Sequence, residues 1–419
     1  MRDIFVTLVV LGTLPSVFLQ PYIGILLWSW LGYMNPHRLS WGFATNFPFA
    51  MIVGVVTLVA FIFSKESKRI PWSKETILLL VFILWMLVTT FFAQYPSLAW
   101  VQLEKVVKIQ VMIFLTLILI NTRERLHALV WIIALSLGFY GIKGGIFTMT
   151  SGGSYHVMGP NGTFIGGNNE IGLALIMTIP LMRYLQLNSR QIWLRNGLAG
   201  AMFLTIVAIL GTQSRGALLG MSVMGLFLLM KSRQKVILLI LLSLAAPAAL
   251  SFMPKSWFDR MHTIKTYEAD ESAQGRIEAW QFAFDTALKN PLTGGGFEIF
   301  AGRTEAHSIY FEILGEHGFV GLALFLTLWL FAWRTGSWVI KNAKGIPEAK
   351  WLSDLASMLQ VSLIGYAAAG TFLGLGYFDL YYHLFAMLVL CKVIMLKTQA
   401  EYAPAETQGQ LVPWFAKRG

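Results

Sequence analysis

The chain has 419 residues, of which 56% are hydrophobic and 13% charged, and its mean hydropathy is +0.63. Soluble globular proteins are about half apolar and about a quarter charged, so this composition excludes an ordinary water-soluble enzyme. The net charge of +11 comes without a dense run of Lys or Arg, which indicates the cytoplasmic charge bias of a membrane protein and not a nucleic-acid partner.

Uncharged apolar stretches predict helices that cross a membrane. A helix needs about 20 apolar residues to span a bilayer, and runs such as Ile77–Ala93 and Val236–Met253 contain no charged residue. The first block contains Pro15 and Pro21 and is interpreted as one broken or tilted crossing, with a short hairpin as the alternative. The pattern predicts an all-α polytopic protein with about 12 transmembrane helices. The blocks lie at 4–33, 48–64, 77–93, 106–120, 128–149, 169–187, 197–214, 217–230, 236–253, 318–333, 355–375 and 380–396.

The distribution of charge predicts the orientation of these crossings. With a cytoplasmic N-terminus, most Lys and Arg residues of the short loops lie on the inner side. The short outer loops 35–47, 94–105 and 150–168 carry only Arg38 and Lys105. Because cytoplasmic loops are enriched in Lys and Arg, this contrast predicts that both termini are cytoplasmic.

This orientation also predicts the domain organisation. Residues 1–396 form a single transmembrane bundle, and residues 397–419 form a cytoplasmic tail. The long polar connection 254–306 then lies on the outer face as a loop or lid that contains helices.

Three basic residues near membrane depth are exceptions to the charge rule. Arg215 lies between two apolar blocks, and Lys105 and Lys108 open the fourth crossing. Such a charge is expensive to bury and usually faces a cavity or a partner, which makes it a candidate for function. The alternative is that the side chain extends to the lipid headgroups, which we prefer for the two lysines but not for Arg215.

The outer loop contains a helical pattern that begins near Arg276. Apolar residues recur at helical spacing from Trp280 to Leu288, and the pattern ends at Pro291, ahead of Gly294–Gly296. A first-turn arginine suits an anion, because the helix N-terminus has free N–H groups and a guanidinium binds phosphate oxygens in pairs. An ordinary ion pair with a loop carboxylate is the alternative.

His307 follows the glycines and precedes an amphipathic stretch that includes Tyr310. Histidine accepts a proton near neutral pH, so His307 is a candidate general base for an acceptor hydroxyl. A hydrogen-bonded structural role is the alternative, and His317 is a weaker candidate. The sequence has no GxxxxGK[ST], HExxH, CxxC or GxSxG motif and no carboxylate pair that indicates a metal site. An arginine and histidine site suits displacement of a phosphate leaving group without a metal.

Three segments of the chain resemble the O-antigen ligase family, in the Wzy-C superfamily of lipid-linked glycan ligases and polymerases. They are Ser214–Gly216 (SRG), Arg276–Gly296 (R-x3-W-x2-A…NP-x2-GGG) and His307–Gly321 (H-S-x-Y-x3-L-x-E-x-G-x2-G). The usual His-Asn of the family is His307-Ser308 here, so the histidine is kept and the neighbouring amide is not. The N-terminal third is similar to the branch of exosortase-associated O-glycosylation ligases.

The resemblance implies a GT-C-type, metal-independent and inverting glycosyltransferase without a cofactor, in the bacterial inner membrane with a periplasmic active site. The donor would be O-antigen polysaccharide on undecaprenyl pyrophosphate and the acceptor lipid A–core, with membrane lipids as further partners. By motif position, Arg215 and Arg276 would bind the pyrophosphate, and His307 would be the general base.

Five other residues are expected to contact substrate: Lys105, Lys108, Asn168, Asn169 and Tyr310. For Asn168, Asn169 and Glu170, capping of the next helix is the preferred interpretation. The alternatives to the ligase are an O-antigen polymerase, a protein O-glycosylation ligase and, in another class, a transporter or flippase for lipid-linked glycans. The absence of matching broken helices in two halves disfavours a transporter.

Overall fold

The structure is a computed structural model that describes residues 1–231, 235, 254, 255, 257, 258 and 271–402. Helices make up 78% of the described residues, and no strand occurs among them, which confirms the all-α prediction. The predicted crossing 236–253, most of the first part of the predicted outer loop, and the tail from residue 403 onward lie outside the described residues.

Thirteen α-helices follow one another in these ranges, and most coincide with a predicted apolar block. Eight helical stretches are long and apolar enough to cross a membrane, which identifies a multi-pass membrane protein; the exact number of 12 crossings stays a prediction. The helices are α1 (Arg2–Leu19), α2 (Tyr22–Met34), α3 (Phe49–Phe63), α4 (Lys74–Phe91), α5 (Pro96–Leu119), α6 (Arg123–Thr150), α7 (Asn168–Asn188), α8 (Ile192–Gly211), α9 (Arg215–Lys231), α10 (Glu271–Lys289), α11 (Ile309–Asn342), α12 (Lys350–Ala369) and α13 (Asp379–Tyr402).

Local signals fix several of the helix ends. Ser73 caps α4 by accepting a hydrogen bond from the backbone of Thr76, and Thr122 caps α6 in the same way. At the other end of the chain, α13 continues to Tyr402, so the first residues of the predicted tail 397–419 are helical. The stretch Asp379–Ala400 is 89% buried, which makes α13 the central helix around which the others pack.

The first apolar block is a hairpin of two helices, so its interpretation as a single crossing is wrong. In line, α1 and α2 would separate their outer ends by about 50 Å at 1.5 Å per residue. Instead, Arg2 Nη1 donates to Leu39 O at 3.0 Å, beyond the end of α2. Asp3 Oδ1 accepts hydrogen bonds from the backbone N–H groups of Gly42 (3.1 Å) and Ala44 (3.0 Å).

Packing agrees with the hairpin. Val6 and Val10 of α1 share a buried cluster with Leu27 and Leu31 of α2, an antiparallel arrangement in which early residues of one helix meet late residues of the other. The chain reverses at Gln20 and Pro21, where no helix continues. Met1 therefore lies on the same side of the bundle as loop 35–47. The sequence predicted a cytoplasmic N-terminus and placed loop 35–47 on the outer side. Because both lie at the same end of the bundle, only one of these two predictions can be correct.

Cysteine labelling tests this topology. In sealed spheroplasts we expect Arg2→Cys and Trp41→Cys to react together with a membrane-impermeant maleimide, since the Arg2 guanidinium lies 5.6 Å from the Trp41 ring. Lys344→Cys, exposed in the turn between α11 and α12, is the matched control and should react only after lysis. The native Cys391 is buried and adds little background. If Arg2→Cys behaves like Lys344→Cys, the hairpin is not the structure in the membrane.

Lys and Arg residues cluster in or directly beside the turns at one end of the bundle. We call this the basic end and define it by the turns 64–73, 120–122 and 343–349. Three contacts hold it together: Arg125 Nη2 to Glu66 Oε1 (2.6 Å), Lys397 Nζ to Asn121 O (3.4 Å), and Gln399 Nε2 to Asn342 Oδ1 (3.1 Å). Because α4, α6 and α12 begin here and α11 and α13 end here, the loops that carry the family motifs lie at the opposite end.

Candidate active site

Two of the sequence motifs pack against each other at this opposite end. The helix α11 is broken at Gly318, whose φ of 68° and ψ of −170° are not helical. A break leaves backbone groups of the adjacent turns without helical partners, and the segment after α10 supplies them. The hydrogen bonds are Gly295 N to Gly315 O (2.8 Å), Gly296 N to Glu316 O (2.9 Å) and Phe319 N to Pro291 O (2.9 Å).

Glycine is required in this segment for both conformation and space. Gly294 and Gly296 have φ values of 62° and 80°, a left-handed region that residues with a side chain avoid. A β-carbon on Gly294 would lie 2.6 Å from Gly315 O, and one on Gly296 would lie 2.3 Å from the β-carbon of Ala93. The NP-x2-GGG motif is therefore a packing device that holds α10 against the broken α11.

The tryptophan of the second motif ties α10 to the histidine of the third. Trp280 Nε1 donates to Ala306 O at 2.7 Å, immediately before His307. Its ring stacks on Phe311, with a centroid distance of 5.0 Å and an interplanar angle of 8°. Since residues four apart lie on the same face of a helix, this anchor brings Arg276 to the side of His307.

His307 is a half-buried base in a constrained backbone. Its φ is 43°, which is unusual for a residue with a side chain, and its Nδ1 atom is buried without a hydrogen-bond partner among the described residues. Burial lowers the pKa of the imidazole, the positive charge of Arg276 lowers it further, and Glu305 opposes them. The side chain is thus neutral at pH 7 and able to accept a proton.

Arg215 is the first residue of α9, and its motif shapes the preceding turn. Ser214 caps the helix, because its Oγ accepts a hydrogen bond from Ala217 N at 3.1 Å. Gln213 takes a left-handed φ of 53° to reverse the chain after α8. Gly216 allows close packing, since a β-carbon there would lie 3.0 Å from Phe372 Cβ.

The glycine-rich loop 151–167 supports this turn. The side chain of Gln213 bonds to His156 Nε2 and to Gly153 O, each at 2.9 Å. Asn168 Nδ2 donates to Thr212 O at 2.9 Å. The expectation that Asn168 and Asn169 cap α7 is wrong, because the cap residue is Gly167 and the cap makes no side-chain hydrogen bond. Asn168 and Asn169 are instead the first two residues of the helix. The Glu170 carboxylate does accept a hydrogen bond from a backbone N–H of the first turn, which is its own.

The structure brings Arg276 and His307 together, and two aromatic residues, Phe372 and Trp280, connect the start of α9 to them. Phe372 packs on the start of α9 at Gly216, and its ring lies 6.5 Å from that of Trp280. The hydroxyl of Tyr310 donates to Ala367 O at 2.9 Å, so this predicted substrate contact fastens α11 to α12.

A small cavity adjoins His307, which we call the acidic chamber. Its volume is about 170 Å³, and its walls include His307, Phe164 and Tyr377. Four carboxylates surround it, none of them predicted as a site residue, although Glu316 is a fixed position of the third motif. They are Glu298, Glu305, Glu312 and Glu316. Glu312 and Glu316 lie four residues apart in an otherwise apolar helix, a spacing that could have marked both as facing one site.

Buried hydrogen bonds hold part of this chamber in place. Tyr377 donates its hydroxyl proton to Glu316 Oε2 and lies 2.8 Å from His317 Nε2. His317 Nδ1 lies 2.6 Å from Thr89 Oγ1, so the network crosses from α11 to α4. Burial raises the pKa of Tyr377, and the charge of Glu316 adds to this shift, so the phenol stays protonated. His317 is a structural residue in this network.

A larger cavity lies beside the acidic chamber, between α2, α3 and α5. This lateral groove has a volume of about 850 Å³, and both Lys105 and Lys108 line it. Lys105 Nζ lies 3.9 Å from the centroid of Phe164, and Lys108 pairs with Glu104 at 2.5 Å. Phe164 also lines the acidic chamber, so the two predicted lysine contacts lie next to the site but not among the arginines.

Within the described ranges, no group of three or more His, Cys, Asp or Glu residues is arranged to hold a metal ion.

Comparison with known families gives two matches. Residues 1–190 match a family of unknown function (DUF5935), and residues 200–326 match the family described as O-Antigen ligase. A comparison with curated proteins finds no match.

The second match contains Arg215, Arg276 and His307. It confirms the resemblance drawn from the three motifs. Members of this family are glycosyltransferase-like enzymes that act on lipid-linked glycans in membranes.

Proposed function

We propose that this chain, which carries an O-antigen ligase domain over residues 200–326, transfers O-antigen polysaccharide from undecaprenyl pyrophosphate to lipid A–core. The observation that carries the proposal is the pairing of Arg276 with the neutral His307 beside the acidic chamber. A cation for the leaving group and a base for the acceptor are what a single displacement at a sugar carbon requires.

In the proposed reaction the imidazole of His307 takes the proton of an acceptor hydroxyl. The oxygen attacks the anomeric carbon of the donor sugar, and the bond from that carbon to the pyrophosphate oxygen breaks with its electron pair on the phosphate. The configuration inverts. The Nδ1 atom of His307 suits the proton transfer, since a buried nitrogen without a partner gains a hydrogen bond when the hydroxyl arrives.

Arg215 and Arg276 would hold the pyrophosphate and stabilise the charge that develops on it. Arg215 opens α9, where the positive end of the helix dipole adds to the attraction for an anion. Pyrophosphate is a good leaving group, so the enzyme needs mainly positioning and charge stabilisation. No step in this scheme requires a cofactor.

The acidic chamber would receive the acceptor sugar. Carboxylates such as Glu305 and Glu312 accept hydrogen bonds from sugar hydroxyls. Phe164 and Phe300 offer apolar walls for the faces of the ring.

The basic end supports a periplasmic location for this site. Lys65, Lys68 and Arg69 precede α4, and Lys341 and Lys344 lie where α11 ends. Cytoplasmic loops carry this excess, so the opposite end with the site would face the periplasm of the inner membrane. With the α1–α2 hairpin, the N-terminus is then periplasmic and the C-terminus cytoplasmic.

Reconstitution in detergent tests the function. Purified protein would be mixed with a defined undecaprenyl-linked glycan and, in separate reactions, with rough lipopolysaccharide, a second lipid-linked repeat or a pilin-like protein. The ligase transfers glycan to rough lipopolysaccharide. Product only on the lipid-linked repeat would identify a polymerase, and product only on the protein an O-glycosylation ligase. No product on any acceptor would contradict a glycosyltransferase and favour a transporter.

A further inference from the structure

The lateral groove is shaped for a chain of lipid. Its volume of about 850 Å³ is enclosed largely by apolar residues of α3 and α5, among them Leu58, Ile109 and Met112. Met51 and Val101, which also line it, are 58% and 67% exposed, so apolar side chains border its opening. An amphiphile could enter it sideways from the membrane.

The polar end of the groove carries positive charge. Arg38 and Lys105 line it, together with the ion pair between Lys108 and Glu104. Asp379 is the other carboxylate on the lining. Lys105 stands over the ring of Phe164 at 3.9 Å, where a cation is favoured and its remaining N–H groups can meet an anionic head group.

The polar end of the groove lies beside the chamber that contains His307, and not beside Arg215 or Arg276. Phe164 lines both the lateral groove and the acidic chamber, and His307 also lines the chamber. Neither Arg215 nor Arg276 lines either cavity. A molecule with its chain in the groove therefore presents its head to His307.

We propose that the lateral groove holds the lipid part of the acceptor, an anionic amphiphile whose head group lies against Arg38 and Lys105. This inference rests on the proposed function, because it takes His307 as the base. In a single displacement the attacking hydroxyl and the leaving group lie on opposite faces of the sugar carbon. With the pyrophosphate at the arginines, the acceptor comes from the side of the chamber, which is the side on which the groove opens.

A groove-filling variant tests this assignment. Gly54 lines the groove, and a β-carbon there would lie 3.8 Å from the sulfur of Met112, so Gly54→Phe fills the space without a backbone clash. Gly200 of α8 faces open space and provides the control Gly200→Phe. We expect Gly54→Phe to raise the KM for rough lipopolysaccharide by about tenfold or more, since buried methylenes are displaced, and to leave the KM for the donor unchanged.

Direct binding separates this inference from the function itself. Native mass spectrometry would use lipid A, with phosphatidylethanolamine as the zwitterionic comparison and no donor present. We expect wild type and Gly200→Phe to retain lipid A in preference to phosphatidylethanolamine, Gly54→Phe to lose it, and Lys105→Gln to lose the preference. This result stands even if no glycan is transferred, in which case the proposed function alone fails.

Other results overturn the inference. If Gly54→Phe raises the KM for the donor and not for the acceptor, the groove holds the donor chain. If neither KM changes, or lipid A binds equally to wild type and Gly54→Phe, the groove is not a substrate site. Transfer to a soluble protein acceptor alone, without change in Gly54→Phe, also contradicts it.

Discussion

His307→Ala should lower the turnover number by about 10²–10⁴-fold, the usual contribution of a positioned general base, without weakening the binding of the donor. The physical reason is that the imidazole is neutral at pH 7 and lies beside the charge of Arg276. The measurement is single-turnover transfer to rough lipopolysaccharide, with donor binding followed separately.

The backbone at His307 offers a well-matched second variant. Its φ of 43° lies in the left-handed region that asparagine tolerates better than most residues. His307→Asn should therefore fold as well as wild type, with an unchanged Tm, and still lack the base. Activity of His307→Asn within threefold of wild type would contradict the assigned role.

The pH dependence of the wild-type enzyme also tests whether His307 is the general base, without a substitution that removes activity. Burial and the Arg276 charge lower the pKa of His307 below its ordinary value of 6.5. The base form then dominates at pH 7, and kcat/KM should be flat there and fall only as the pH drops through this lowered pKa. An acid limb above pH 6.5 would identify a different base.

Arg276→Ala and Arg215→Ala should each reduce kcat by about 10²–10³-fold, the effect of removing one preorganised group that stabilises a developing negative charge. Arg276→Lys keeps the charge but not the paired N–H groups, so it should recover only part of the rate. Because both arginines act on one pyrophosphate, we expect the double variant to lose less than the product of the two single effects.

Arg303→Ala is the matched control for these variants. Arg303 is exposed in the same loop and its guanidinium stacks on Phe282 at 4.4 Å, so that it lines neither the acidic chamber nor the lateral groove. It should retain full activity.

In Arg276→Gln the loss of a positive neighbour should raise the pKa of His307 and move the acid limb of the residual activity to higher pH. An unmoved limb, or a full rate in Arg276→Ala, would separate Arg276 from the site.

Several features of the site could be predicted from the sequence because they depend on local chemistry. The first-turn position of Arg215 agrees with Ser214 as a capping residue, and the common helix face of Arg276 and Trp280 follows from their spacing. The order of the three motifs was enough to indicate one constellation. Tyr377 could not be found in this way, since it joins the site only through contacts between elements distant in the chain.

By itself, the sequence determined the class of the protein, the position of most helices, the end that carries the basic turns and the residues worth testing. These follow from hydropathy, charge and capping, which act over a few residues. Only the tertiary structure decided that the first apolar block folds back on itself, that glycines brace a broken helix, and that a groove and a chamber meet at Phe164. Hydropathy is the same for a straight helix and a hairpin, and cavities arise from the packing of helices that no local pattern encodes.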